Sequence, residues 1–196
     1  MKQKSGPDTG AHKYDSEQPE RNEIMKTLTR YIPYVPLFFA AMLLAPASFA
    51  AEAESTAFDQ VIEHYEAARQ ALINDTTDGI AERGKEIKTV LDQLDSEWSP
   101  GAAGVGADAA EDVRGLLPEL SEAAAALSAA TSLDEAREAF YDLSKPLVRW
   151  RKAADGERPI VAYCSMAKRS WLQPKGELGN PYYGQSMLRC GEVVDG

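Results

Sequence analysis

Two cysteines and two histidines are all that this 196-residue chain offers as thiol or imidazole metal ligands. That scarcity excludes several chemistries. There is no Cys-x-x-Cys, so neither a zinc ribbon nor the usual thiol-oxidoreductase motif is present. There is no HExxH, no phosphate-cradling glycine loop and no nucleophile motif, and an enzyme is not expected. Basic residues are in the minority, 21 against 31 acidic for a net charge of −10, which argues against nucleic acid as a partner. No apolar run reaches the roughly 20 residues of a spanning helix. Alternating strand patterns are missing between residues 51 and 154.

What is present begins with a polar leader at 1–24, read as an extended n-region or an artefact of an upstream start codon. At 25–50 the chain reads as a signal peptide: Lys26 and Arg30, an apolar run broken by Pro33 and Pro36, then Pro46-Ala47-Ser48-Phe49-Ala50. Cleavage is expected near Ala50, releasing a periplasmic or secreted protein with no membrane span. The remainder suits one domain.

Residues 51–154 carry four helical periodicities. The first covers 56–74, with Phe58, Val61, Ile62, Tyr65, Ala68 and Leu72, and a cap at Ser55 or Thr56. The second covers 78–98, with Gly84 on its apolar side, where a neighbouring helix can approach. The third covers 107–130 and is expected to bend at Pro118. The fourth opens on Ser132-Leu133-Asp134-Glu135, which fits a capping box, and runs past Pro146 to Trp150. Short linkers predict an all-α, four-helix up-down bundle. His64 reads as a boundary histidine beside the apolar stripe.

Residues 155–196 break the pattern. Both cysteines lie here, each with a methionine nearby: Cys164-x-Met166 and Met187-x-x-Cys190. Pro159 to Tyr163 suggests a strand or an extended strip, and the rest is expected to be loop-rich, packed on the bundle through Trp171, Tyr182 and Tyr183. A run of basic residues from Lys145 to Arg189 offers a face for an acidic partner or a solvated complement to the acidic helices. Two chemistries are open. In an oxidising compartment Cys164 and Cys190 suit a structural disulfide, which would make the chain a stapled, metal-free interaction module. Equally, Cys164, Met166, Met187 and Cys190 form a two-thiolate, two-thioether set suited to Cu(I) or Ag(I).

The pattern Tyr163-Cys164-Ser165-Met166, Trp171-Leu172, Asn180-Pro181-Tyr182-Tyr183-Gly184, Met187 and Cys190-Gly191 resembles a bacterial family named only as a domain of unknown function. That family usually has proline where Ser165 stands. Its helices look similar too, including Tyr65 and the Phe140-Leu143-Ser144 region. It occurs in exported proteins and fused to periplasmic adaptor subunits of copper/silver efflux pumps. The resemblance implies a helical domain with a sulfur-bearing tail in a heavy-metal setting, partnered by a periplasmic metal-efflux or copper-handling protein. On that basis Cu(I)/Ag(I) binding or sensing moves ahead of the disulfide-stapled module.

Overall fold

The computed structural model describes residues 55–196; the polar leader and the signal peptide expected at 1–24 and 25–50 lie outside the described residues. Helix α1 (Ala57–Ile73) starts on a full capping box. The Asp59 N–H donates to the Thr56 hydroxyl at 3.2 Å, and the Asp59 carboxylate accepts the Thr56 N–H at 3.0 Å. Helix α2 (Ile80–Ser96) lays Ile87, Leu91 and Leu94 into the core. Gly84 belongs to that same buried side. A Cβ there would lie 2.5 Å from the Ser128 nitrogen and 2.9 Å from the Ala124 oxygen, so α2 and α5 (Leu117–Ala129) meet backbone to backbone.

The single bent helix expected at 107–130 is two helices. A short turn, α3 (Pro100–Ala103), leads through Val105 to α4 (Ala110–Arg114), and the chain breaks at Gly115 and Leu116 before α5 begins. Pro118 therefore stands in the first turn of a new helix, where its missing N–H leaves no bond unmade. Helix α6 (Leu133–Ala153) continues through Pro146. The Ser132 hydroxyl accepts the Glu135 N–H at 3.2 Å, but the Glu135 carboxylate reaches one residue beyond the box, to the Thr131 N–H at 2.8 Å.

The long helices pack α1 on α2, α2 on α5, α5 on α6 and α6 on α1. Phe58 meets Trp150 at 5.5 Å between ring centres, and Tyr65 stacks on Phe140 at 4.4 Å. Among the described residues no helix is long and apolar enough to cross a membrane.

The all-α expectation and the loop-rich tail are corrected here. After α6 the chain forms a three-stranded antiparallel sheet, β1 (Ile160–Cys164), β2 (Arg169–Gln173) and β3 (Glu192–Asp195), in the order β2-β1-β3. Cys164 pairs with Arg169 and Ile160 with Gln173, while β3 joins the other edge of β1 with a bulge between Val161 and Ala162. Strand pairing draws on partners distant in sequence, so the short RSWLQ and EVVD stretches carry no strand signature alone. Strand β2 lies on α6, and Ala162, Trp171 and Leu172 complete the core.

Candidate functional site

Cys164 is the last residue of β1 and is buried. The hairpin that follows, residues 165–168, closes through Lys168 at φ 55° and turns the Ala167 N–H back onto the Cys164 sulfur at 3.4 Å. Cys190 comes from the opposite direction. A single 3₁₀ turn (Gly184–Met187) precedes it, its N–H donates to the Met187 carbonyl at 3.0 Å, and it leads into β3. The two sulfurs lie 3.1 Å apart and are not bonded to each other. A disulfide would be shorter by about 1 Å. A strand end and a returning loop therefore bring together two thiols that stand 26 positions apart in sequence.

Their environments differ. Burial works against the Cys164 thiolate, but the Ala167 N–H, the Cys190 thiol, the Met166 N–H and the Asn180 side chain outweigh it and hold its pKa below the ordinary thiol value. Cys190 is pushed the other way, first by its hydrogen bond to Cys164 and then by burial. One sulfur is thus disposed to ionise and its neighbour to keep its proton.

The methionines occupy different settings. Met166 is at the hairpin tip and 63% exposed, while Met187 is half-buried in the 3₁₀ turn. Among the described residues no group of three or more His, Cys, Asp or Glu side chains converges.

The loop carrying Cys190 is organised by Asn180, which is fully buried. Its Oδ1 accepts the N–H groups of Tyr182 at 2.8 Å and Tyr183 at 3.3 Å, and its Nδ2 donates to the Cys190 carbonyl at 2.7 Å. Its backbone N–H donates to Leu188 and its carbonyl accepts Gly184 N–H. Trp171 is buried, donates through Nε1 to Gln173 at 2.9 Å, and packs edge-on against Tyr182 at 6.0 Å. Gly191 passes over its ring: a Cβ at that glycine would fall 2.7 Å from the indole.

The helices hold this tail with three arginines that carry no motif of their own. The buried Arg69 guanidinium is held by Glu66 at 2.6 and 2.7 Å and donates to the Gly179 carbonyl at 2.8 Å. Arg137 donates to the Pro181 carbonyl at 3.0 Å and to Asp75 at 2.6 Å. Asp75 also accepts the Gln185 N–H at 3.1 Å. Buried Arg151 donates to the Pro159 carbonyl at 2.8 Å and to Asp195 of β3. A signal for these was available. Arg69 lies four residues after Tyr65 and three before Leu72, Arg137 three before Phe140, and Arg151 four after Leu147, all at helical spacing from buried positions. A charge set on an apolar stripe needs a partner from elsewhere in the fold.

The basic tract is largely consumed internally. Besides Arg151, Arg169 pairs with Glu138 at 2.6 Å and lies 4.7 Å from the Tyr141 ring centre. Arg158 caps the carbonyls of Arg151 and Lys152, Arg189 binds Glu177, and Lys145 binds Asp142. His64 is half-buried on α1 and its Nδ1 lies 3.3 Å from Arg83, away from the sulfurs in sequence and partnership.

Residues 61–158 match the family model described as "Protein of unknown function (DUF3347)", half of the chain, and the chain belongs to that family. The match spans the helices and stops just before β1, so both cysteines lie beyond it. No curated protein and no solved structure matches the chain.

Proposed function

Starting from a family whose description names no activity, we propose that this is an exported, non-catalytic protein that binds or senses Cu(I) or Ag(I) in periplasmic copper handling. The observation that carries the reading is the 3.1 Å approach of the Cys164 and Cys190 sulfurs. Two thiolates side by side select a soft monovalent ion over harder ones. Met166 and Met187 are the thioether ligands of this reading. Met166, exposed two residues from Cys164, would close on the ion from the solvent side, and Met187 would follow the Cys190 loop. In this reading Trp171, Tyr182 and Tyr183 would shield the site from water. Export rests on the signal-like segment at 25–50, and the partner class, a metal-efflux or copper-handling protein, rests on the resemblance of the tail motif.

The same close approach supports a second reading, a Cys164–Cys190 disulfide that staples β1 to the returning loop and leaves an interaction module without metal. Internal pairing of most of the basic tract weakens the basic face as that module's docking surface. A thiol count on mature protein purified without reductant, followed by Cu(I) titration against a competing chelator, separates the readings. Two free thiols and one stoichiometric Cu(I), lost in Cys164→Ser and weakened in Met187→Leu, support the metal site. No free thiols, and no Cu(I) uptake after gentle reduction, leave the staple.

A further inference from the structure

Neither chemistry works unless Cys190 arrives at Cys164, and Cys190 sits on a loop rather than on a strand or long helix. Cys190 is half-buried, and the Gly191 that follows adopts φ 152°, a conformation few other residues tolerate. The loop has one buried polar side chain that touches both of its ends. The Asn180 carboxamide takes the N–H groups of Tyr182 and Tyr183 on its oxygen and gives its nitrogen to the Cys190 carbonyl at 2.7 Å. A side chain with both an acceptor and a donor is required there. Aspartate can serve the first role but has no donor. Serine has one shorter-reaching polar atom where asparagine has two, so its oxygen cannot serve the tyrosines and reach the Cys190 carbonyl as well.

We propose that Asn180 is the positioning residue of the sulfur site, its carboxamide holding the Cys190 backbone so that the Cys190 sulfur stays against Cys164. The proposal rests on the reading of the two cysteines as a working pair, whether they take a metal or a disulfide. It assigns Asn180 no contact with a metal. Because the tie runs to the residue that bears the second sulfur, its loss shows in the equilibrium between dithiol and disulfide, a readout that loosened packing elsewhere does not move.

The test uses full-length mature protein, metal-free, equilibrated with glutathione redox buffers. In that reaction a Cys164–Cys190 bond forms, the S–S bond of oxidised glutathione breaks, and the two thiol protons and two electrons leave as two molecules of reduced glutathione. Asn180→Ser keeps an oxygen for the tyrosine N–H groups and loses the tie to Cys190. The value of [GSH]²/[GSSG] at half-oxidation should fall about 10-fold, the order of one hydrogen bond's contribution. In Asn180→Asp the carboxylate still accepts the tyrosine N–H groups but has no donor for the Cys190 carbonyl, so the same ratio should fall there too. Circular dichroism establishes that each variant is folded. Folded variants with the wild-type redox midpoint would overturn the proposal. If one variant fails to fold, the other decides; if neither folds, the residue serves the fold and the proposal fails. The readout is metal-free. Wild-type protein that ignores Cu(I) therefore sinks the metal reading alone, whereas unchanged midpoints sink this inference alone.

Discussion

The hydroxyl of Tyr65, on the first helix, accepts the backbone N–H of Leu172, on the second strand, at 3.1 Å across 107 positions of sequence. The same hydroxyl lies 2.7 Å from Ser144, and Ser144 donates to the Phe140 carbonyl. Proton bookkeeping then leaves one arrangement: Leu172 N–H to Tyr65, Tyr65 to Ser144, Ser144 to Phe140. Strand β2 is an edge strand, and its outward Leu172 N–H and Ser170 carbonyl are taken by Tyr65 and Tyr182. Two tyrosines close an edge that would otherwise be a pairing template.

Tyr65→Phe is expected to leave the Leu172 N–H buried without a partner. The cost should be about 1–3 kcal/mol of stability, read from urea denaturation, with helical circular dichroism unchanged and faster amide exchange in β2. An unchanged midpoint would mean that water replaces the phenol.

Gly84→Ala should destabilise by about 1–3 kcal/mol, because its Cβ has backbone rather than flexible side chains before it. Gly101→Ala is the control: nothing lies within 4 Å of a Cβ there, and alanine in a helix is favoured by up to about 1 kcal/mol. Equal thermal shifts in the two variants would contradict the close α2–α5 approach.

Acid should loosen the clamp on the tail. The Arg137 hydrogen bond, then the Gln185 N–H, hold the Asp75 carboxyl below its ordinary pKa. A folded-state pKa that is depressed gives stability that is full above the unfolded value, about 3.9, and is lost as pH falls through the lower folded value. Asp75→Asn tolerates the positive φ of 55° at this position and removes the charge. Urea midpoints of wild type and variant should differ near neutral pH and converge in acid. A gap that persists in acid would assign the effect to something other than the carboxylate.

The thiols should titrate in two steps, followed by thiolate ultraviolet absorbance. The first falls below the ordinary thiol value of about 8.5 and the second above it. In Cys190→Ser the low step should persist, because the Ala167 and Met166 N–H groups still face Cys164. In Cys164→Ser the remaining thiol should move back toward the ordinary value, having lost the bond that raised it. A single ordinary step in wild-type protein would mean that the sulfurs do not interact in solution.

Gly184→Ala should release the loop. Its Cβ would collide with the Asp75 carboxylate and the Arg137 guanidinium, and the backbone there has φ 52°. A loss of about 1–3 kcal/mol is expected, with exchange of the tail amides raised more than that of α2 and α5. Uniform acceleration would point instead to global unfolding.

The sequence by itself determined the long helices, because a helix stripe repeats within a few residues and caps are local. Phe58, Val61, Tyr65 and Leu72, and the Thr56 cap, are read from neighbours in the chain. It also singled out Cys164, Met166, Met187 and Cys190 by type. What only the tertiary structure decided was which of these meet. Strand pairing places Cys164 at the end of β1, a loop centred on Asn180 returns Cys190 to it, and Met166 is left at an exposed tip. The sheet escaped the sequence because RSWLQ and EVVD become strands only against β1. Pro118 was read as a bend because composition cannot tell a helix interior from the first turn of a new helix. Arg69, Arg137 and Arg151 stand at helical spacing from buried positions, but only the fold shows that the tail supplies the carbonyls they bind. Helical periodicity is written in adjacent residues, whereas pairing and burial of charge depend on residues tens of positions apart.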